Sequence, residues 1–371
     1  AKMIGRKIFL LYQKVYFLKG PFKYKKMDSM RGESKMRKKK LVKLLTLVVA
    51  SIMLLVGCSL RKNGVSRKAS NNNSERIYKI GISQLQEHAA LDDARKGFED
   101  GLKELGVKTK IDYQNAQGDI ANTISIAQKF VKDDADLVFA IATPAAQNAK
   151  QATARTDIPV LFTAVTDPVK SGIVEDLEKV GGNVTGTSDK APIESQLKMF
   201  QEIDPSIKKI GILYNTSEAN SDIQIKKVLK LAPKVGLEVE TMGVNNINEI
   251  PQALDSLIKK VDAFYMITDN MVASSVEVIS KTAIQNQMIT IAAEDNPVRG
   301  GLLVTNGLSY YELGKQTARM AKEILVDGKD VSTMPVGMAK KTTTIYNKQT
   351  LEALGLDPNL EIFKNAQVVG D

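Results

Sequence analysis

The run IYKIGISQLQEHAALDDARKGFEDGLKELGVKTKIDY, residues 77–113, sets the architecture expected for most of the chain. Residues 78–82 are short and rich in isoleucine, as a strand is. Residues 90–105 then place Leu91, Ala94, Phe98, Leu102 and Leu105 at three- and four-residue spacing, the apolar stripe of an amphipathic helix, and Gly106 follows as its stop. Residues 107–113 return to strand character. Strand, covering helix and strand make up the repeating unit of a parallel sheet with helices on both faces.

The unit recurs downstream. Helix is expected over 120–131, strand over 137–141, helix over 145–154 behind Thr143-Pro144, strand over 159–163 and an extended piece at 184–187. A second series with the same rhythm follows: helix 193–203, strand 209–214, helix 217–235, strand 237–242, helix 247–260, strand 263–267, helix 274–286 and strand 289–292. Two α/β series in succession predict two Rossmann-like lobes, each around a parallel sheet. A strand at 302–305, a helix at 310–326 and a strand at 342–346 remain. Such a tail lets the chain return to the first lobe and cross back, so a multi-strand hinge is expected. The first lobe is then built from 77–187 and 302–332, and the second from 188–301 and 333–371.

Upstream of residue 77 the character changes. Residues 1–35 have no capping or turn logic and are expected to be translated leader, with Met36 a conventional start. Within a signal peptide at 36–57, the basic run Arg37-Lys38-Lys39-Lys40 precedes an apolar segment at 44–56, shorter than the ~20 residues of a membrane span. Leu55-Val56-Gly57-Cys58 closes it. These four residues resemble the lipobox of bacterial lipoproteins, which implies cleavage before Cys58, acylation of its thiol and attachment to the extracellular face of a Gram-positive cell membrane. Residues 58–76, polar and rich in Asn and Ser, read as a flexible tether.

The composition means something different once this leader is set apart. Of the 52 basic and 42 acidic residues, 15 and 2 precede Cys58; the remaining 314 residues hold 37 and 40, a net charge of −3. The excess of positive charge therefore belongs to the leader, and nucleic-acid binding loses its electrostatic basis. Cys58 is the only cysteine, so neither a disulfide nor a thiolate metal site is expected.

In open α/β sheets, ligands sit beyond the carboxyl ends of the strands. The residues there are small and polar: Ser83-Gln84 after the first strand, Thr143-Pro144-Ala145-Ala146 after the third, and Thr163-Ala164-Val165-Thr166-Asp167 after the fourth. In the second series they are Tyr214-Asn215, with Glu218 and Asn220, then Thr268-Asp269-Asn270 and Glu294. Each alone is what any cap or turn uses. Repeated at the strand ends of both halves, they predict a binding cleft. His88, the single histidine, has no Gly-x-Ser-x-Gly elbow to activate and is expected to border the cleft or cap the following helix. Asp133-Asp134 and Glu294-Asp295 lack calcium-loop spacing, and Gly181-Gly182 and Gly300-Gly301 lack the Lys-Ser/Thr of a nucleotide loop. No metal, cofactor or reaction is implied; an extracytoplasmic hydrolase is the competing class and lacks a nucleophile–base pair.

Several motifs, in order, carry a resemblance. They are Gly81-Ile82-Ser83-Gln84 with Glu87-His88 and Leu91-Asp92, Ala142-Thr143-Pro144-Ala145-Ala146-Gln147, Thr166-Asp167-Pro168-Val169, Asn183-Val184-Thr185-Gly186, Tyr214-Asn215-Thr216-Ser217-Glu218-Ala219-Asn220 and Thr268-Asp269-Asn270. From residue 77 to about 354 the chain resembles the solute-binding lipoproteins of ABC importers with the type I periplasmic-binding-protein fold. Within that family it is similar to Gram-positive lipoproteins that bind tryptophan and other aromatic amino acids, departing from the common pattern with Ala89 where a proline often follows His88. The resemblance implies a monomer that delivers an aromatic amino acid to an ABC permease and, through it, to an ATPase; a sensory protein for a sugar or nucleoside is the alternative. For such a zwitterion, Thr143 with the backbone of Ala145 and Ala146 is a candidate carboxylate site, and Asp167, Asp269 or Glu294 a candidate ammonium site. Phe139, Phe162 and Tyr214 are candidates for the ring wall, or core residues. The absence of tryptophan tilts the reading away from sugars.

Overall fold

A computed structural model describes residues 76–339 and 341–370. The expected leader, signal peptide, Cys58 and all but the last residue of the tether lie outside the described residues. The first sheet has the order β11-β5-β4-β3-β1-β2 and is parallel throughout. Its strands are β1 (Tyr78–Gln84), β2 (Thr109–Asn115), β3 (Leu137–Ile141), β4 (Val160–Val165), β5 (Val184–Ser188) and the short β11 (Gly337–Met338). Every residue of β3, LVFAI, and of β4, VLFTAV, is buried, because helices cover both faces and leave no water side for polar residues to occupy.

Helix α1 (Ala89–Glu104) lies on one face through Leu91, Ala94, Phe98 and Leu102, and the Phe98 ring stacks on Phe139 of β3 with centroids 3.8 Å apart. Helices α2 (Ile120–Lys132) and α3 (Thr143–Thr153) cover the other. Asp119 caps α2 by accepting from the backbone N–H of Ala121 at 2.8 Å. Helix α10 (Tyr310–Leu325), from the tail, packs directly on α1. The contact is backbone to backbone: a methyl group built on Gly97 would lie 2.0 Å from the Tyr311 carbonyl oxygen, and one on Gly314 2.1 Å from that of Ala94.

The second sheet has the order β13-β12-β10-β9-β8-β6-β7. It consists of β6 (Lys209–Asn215), β7 (Glu238–Val244), β8 (Ala263–Met266), β9 (Ile289–Ala292), β10 (Val304–Gly307), β12 (Thr343–Asn347) and β13 (Gln367–Val369), with β10 and β12 antiparallel. Helices α4 (Ile193–Ile203), α5 (Ala219–Leu231), α6 (Ile250–Leu257), α7 (Asn270–Ala273), α8 (Val276–Gln285), α9 (Asp295–Arg299), α11 (Lys348–Ala353) and α12 (Glu361–Lys364) complete it. The leading strands run 2-1-3-4-5 in one sheet and 7-6-8-9-10 in the other, so the two series do share one plan. The chain is α/β with two Rossmann-like lobes of the type I periplasmic-binding-protein architecture.

Two sheet assignments differ from expectation. The strand at 302–305, placed with the first lobe, is β10 and pairs with β9 and β12 in the second sheet. Residues 337–338, placed with the second lobe, form β11 and pair with Thr187 and Ser188 of β5. Strand character is local, but which sheet edge a strand joins depends on pairing across more than a hundred residues. The helix expected over 217–235 ends at Leu231 and closes in a 3-10 turn, Ala232–Val235, containing Pro233. That over 247–260 shrinks to Ile250–Leu257 between two 3-10 turns, with Pro251 in its first turn.

Candidate ligand-binding site

Beyond the carboxyl ends of the strands, residues of both lobes line a narrow cavity. His88, Ala90, Ala164, Thr166 and Tyr310 line it from the first lobe, and Asp189 from the segment after β5, where the chain crosses between lobes. Asn220, Met266, Ile267, Thr268, Asp269, Asn270, Ala273, Ala293, Glu294 and Pro297 line it from the second. Hydrogen bonds hold the lobes together around it. The Gln86 amide donates to the Asn270 carbonyl at 2.5 Å and to Ser274 Oγ at 2.6 Å, Thr166 and Thr268 share a hydroxyl bond of 3.1 Å, and His88 Nε2 lies 3.3 Å from Asn270 Oδ1. Ala164 holds φ +55°, in the left-handed region disfavoured for alanine, a form of strain that concentrates at functional sites.

Of the residues anticipated from sequence, His88, Ala164, Thr166, Asn220, Thr268, Asp269, Asn270 and Glu294 line this cavity. The others are spent on the scaffold. Gln84 donates to the Gln86 carbonyl and to Asp92, both at 2.8 Å, and Thr163 bonds Thr187 at 2.9 Å. Ser83 and Thr143 are buried with hydroxyls lacking a protein partner, and Pro144, Ala145 and Ala146 are buried at the start of α3; none of the five lines the cavity. Asp167 caps its own loop through the backbone N–H of Lys170 at 3.0 Å. Tyr214 packs at the edge of the second lobe's core, and Phe139 and Phe162 are fully buried in the first, so the cavity's apolar wall is Met266, Ile267 and Pro297 with the Tyr310 ring.

Asn215 and Glu218 position the site rather than line it. Glu218 accepts from the side chains of Asn215 at 3.2 Å and Asn220 at 3.1 Å, from the Asn270 amide, and from the backbone N–H of Met271 at 3.3 Å. Asp269 accepts from the Asn215 N–H and the Ser221 hydroxyl, both at 2.6 Å, and caps α7 through the Val272 N–H at 2.9 Å. Glu294 caps α9 through the Asn296 N–H at 2.8 Å. Asp189 and Tyr310 were missed by the sequence reading. The Tyr310 hydroxyl donates to Asp189 Oδ2, while Asp189 Oδ1 is buried without a partner.

The lining is acidic: Asp189, Asp269 and Glu294 are at most 5% exposed, and no lysine or arginine joins them. Burial pushes the Asp269 carboxyl up to about 7, with the Glu218 charge adding to it, and burial likewise raises Asp189 and Glu294. Burial holds the His88 imidazole down to about 4, against its bond to Asn270. A carboxyl that holds its proton more tightly folded than unfolded adds stability as pH falls toward the folded pKa and below it; His88 does the reverse below its unfolded value near 6.5. Between pH 8 and 6.5 the acids act alone. Without ligand, the protein is expected to melt about 2 °C higher at pH 6.5 than at pH 8, measured by calorimetry, and an equal or lower melting temperature contradicts the assignment.

The profile of the ABC transporter substrate binding protein family matches residues 79–369. The chain belongs to that family. This substrate-binding protein is 44% identical over 322 residues, 85% of its length and 92% of the relative's, to a tyrosine-binding protein of Clostridioides difficile strain R20291. It matches the crystal structure of an ABC domain from Streptococcus pneumoniae in complex with L-Trp at TM-score 0.75 and 35% identity, covering 79% of this chain and 100% of that one. A ligand-free, open substrate-binding protein with adhesive properties from Clostridium difficile is matched at 45% identity but TM-score 0.61, over 79% of this chain and 99% of that one. The lobe-to-lobe hydrogen bonds of Gln86 and Thr166 mark the present arrangement as closed. The family is one of solute-binding proteins rather than enzymes, and as part of an ABC importer this substrate-binding protein is extracytoplasmic. Among the described residues no helix is long and apolar enough to cross a membrane.

Proposed function

We propose that this protein binds an aromatic amino acid (tyrosine, phenylalanine or tryptophan) between its lobes and delivers it, as a monomer, to a membrane permease driven by an ATPase. The observation that carries the reading is the cavity shared by both lobes, with three buried carboxylates, no basic side chain and one apolar wall. A ligand with a positive charge and a ring complements such a lining; a neutral polyol does not. The tyrosine-binding relative and the L-tryptophan complex support the same solute class. Closure around the ligand gives the permease a shape that reports occupancy. Acylation of Cys58 holds the protein at the membrane surface, with the residues up to the first strand as tether.

A panel of amino acids, sugars and nucleosides tested by thermal shift and calorimetry checks the proposal. Aromatic amino acids are expected to raise the melting temperature with the logarithm of their concentration, a 100-fold excess over Kd adding about 2.7 kcal/mol. Stabilisation by sugars or nucleosides alone refutes the solute class, and chemical turnover of any panel member refutes a binding protein.

A further inference from the structure

The cavity leaves two buried acceptors without a donor: Asp189 Oδ1 and Asn220 Oδ1, on side chains 2% and 3% exposed. Their orientations are set by their other bonds. The Asn220 amide nitrogen faces Glu218 Oε2 at 3.1 Å, the Thr268 carbonyl at 3.0 Å and Ser221 Oγ at 3.4 Å, which turns its oxygen away from all three. Asp189 Oδ2 receives the Tyr310 hydroxyl, so Oδ1 is the oxygen left over. A buried acceptor with no partner is costly, and a carboxylate more so than an amide. The other two acids differ. Both Asp269 oxygens take donors from their own lobe, and Glu294 is committed to capping α9.

We propose that Asp189 is the receptor for the ligand's protonated amino group, with Asn220 offering a second acceptor to the same cavity from the other lobe. The inference rests on the reading of the protein as an amino-acid-binding protein. An ammonium group supplies three donors and the charge that a buried carboxylate lacks. Its place in the chain gives the contact a further role. Asp189 follows β5 at one crossing between lobes, and Tyr310 opens α10 just past another. Their hydrogen bond ties two crossings together, so a cation on Asp189 is read where the lobes pivot.

The test pairs each amino acid with its analogue lacking the amino group: L-tyrosine with 3-(4-hydroxyphenyl)propionate, and L-tryptophan with 3-(indol-3-yl)propionate. The full chain is titrated by calorimetry, and Asp189→Asn is compared with the native protein. The native protein is expected to bind the amino acid roughly 100-fold more tightly than the analogue. In D189N that preference is expected to collapse, the amino acid losing roughly 10- to 100-fold in affinity and the analogue less than about 3-fold. Equal affinity of the native protein for both partners of a pair overturns the inference without any variant. Equal weakening of both in D189N also overturns it, by making Asp189 a hinge support. If the native protein binds neither aromatic amino acid, the solute reading fails; the amino-group inference fails separately if whatever panel solute does bind carries no cation.

Discussion

Alanine at position 269 is expected to cost roughly 3–5 kcal/mol of stability, a loss far larger than that of one ligand contact. From sequence alone Asp269 reads as a strand-end residue free to meet the ligand's ammonium group. Its surroundings argue otherwise. It is 1% exposed, and its two oxygens collect the Asn215 N–H, the Ser221 hydroxyl and the Val272 N–H, joining the ends of β6, α5 and α7 at one point. Truncation strands three donors, each costing about 1–3 kcal/mol when left unpaired, partly relieved by water entering from the cavity. Asparagine is expected to be nearly as poor a replacement. One of its oxygen positions becomes an N–H₂ group, and whichever way the amide turns it meets a backbone N–H. Thermal unfolding measures the effect, expected as a fall of about 10 °C for D269A. A melting temperature within 2 °C of the native protein's would show that these bonds carry little weight.

Alanine at Gly97 or Gly314 is expected to cost about 3 kcal/mol or more, and both together to abolish the packing of α10 on α1. A methyl at either position meets a carbonyl oxygen of the facing helix near 2 Å, and backbone, unlike a flexible side chain, moves only if a whole helix moves. Helix propensity pushes the other way, since alanine is favoured over glycine by about 1 kcal/mol inside a helix, and it is too small to compensate. Gly182→Ala serves as the control. It has open space around it and is expected to melt with the native protein. Urea denaturation followed by circular dichroism distinguishes the three. A G314A protein as stable as G182A would mean that the helices can separate without penalty.

Periodicity carried the α/β plan because each β-branched run and each three-four stripe is a local consequence of burial. Lobe membership of the tail was not legible: β10 and β11 look alike as short extended pieces, and their partners are set by pairing over long separations. The site was half legible for a related reason. Asn220, Thr268, Asp269, Asn270 and Glu294 stand at strand ends and do line the cavity, but Gln84, Thr163, Asn215 and Glu218 stand at strand ends too and are used internally. Capping a helix and holding a solute draw on the same oxygen and amide groups, so residue type cannot separate them. Asp189 escaped because it belongs to a segment read as a connection, and Tyr310 because it reads as the first residue of a covering helix. The available signal was an acid directly after a Thr-Gly-Thr-Ser strand, at the point where one series gives way to the next.

The chain passes between the lobes three times, after β5, between β10 and α10, and between β11 and β12. Neither lobe is therefore a continuous stretch of the gene. A fragment ending near residue 190 would lack the helix that covers α1 and the edge strand beside β5, and its complement would be a second lobe encumbered by that helix and strand. Nature cannot shuffle these halves by simple fusion, and an early stop codon spoils both at once.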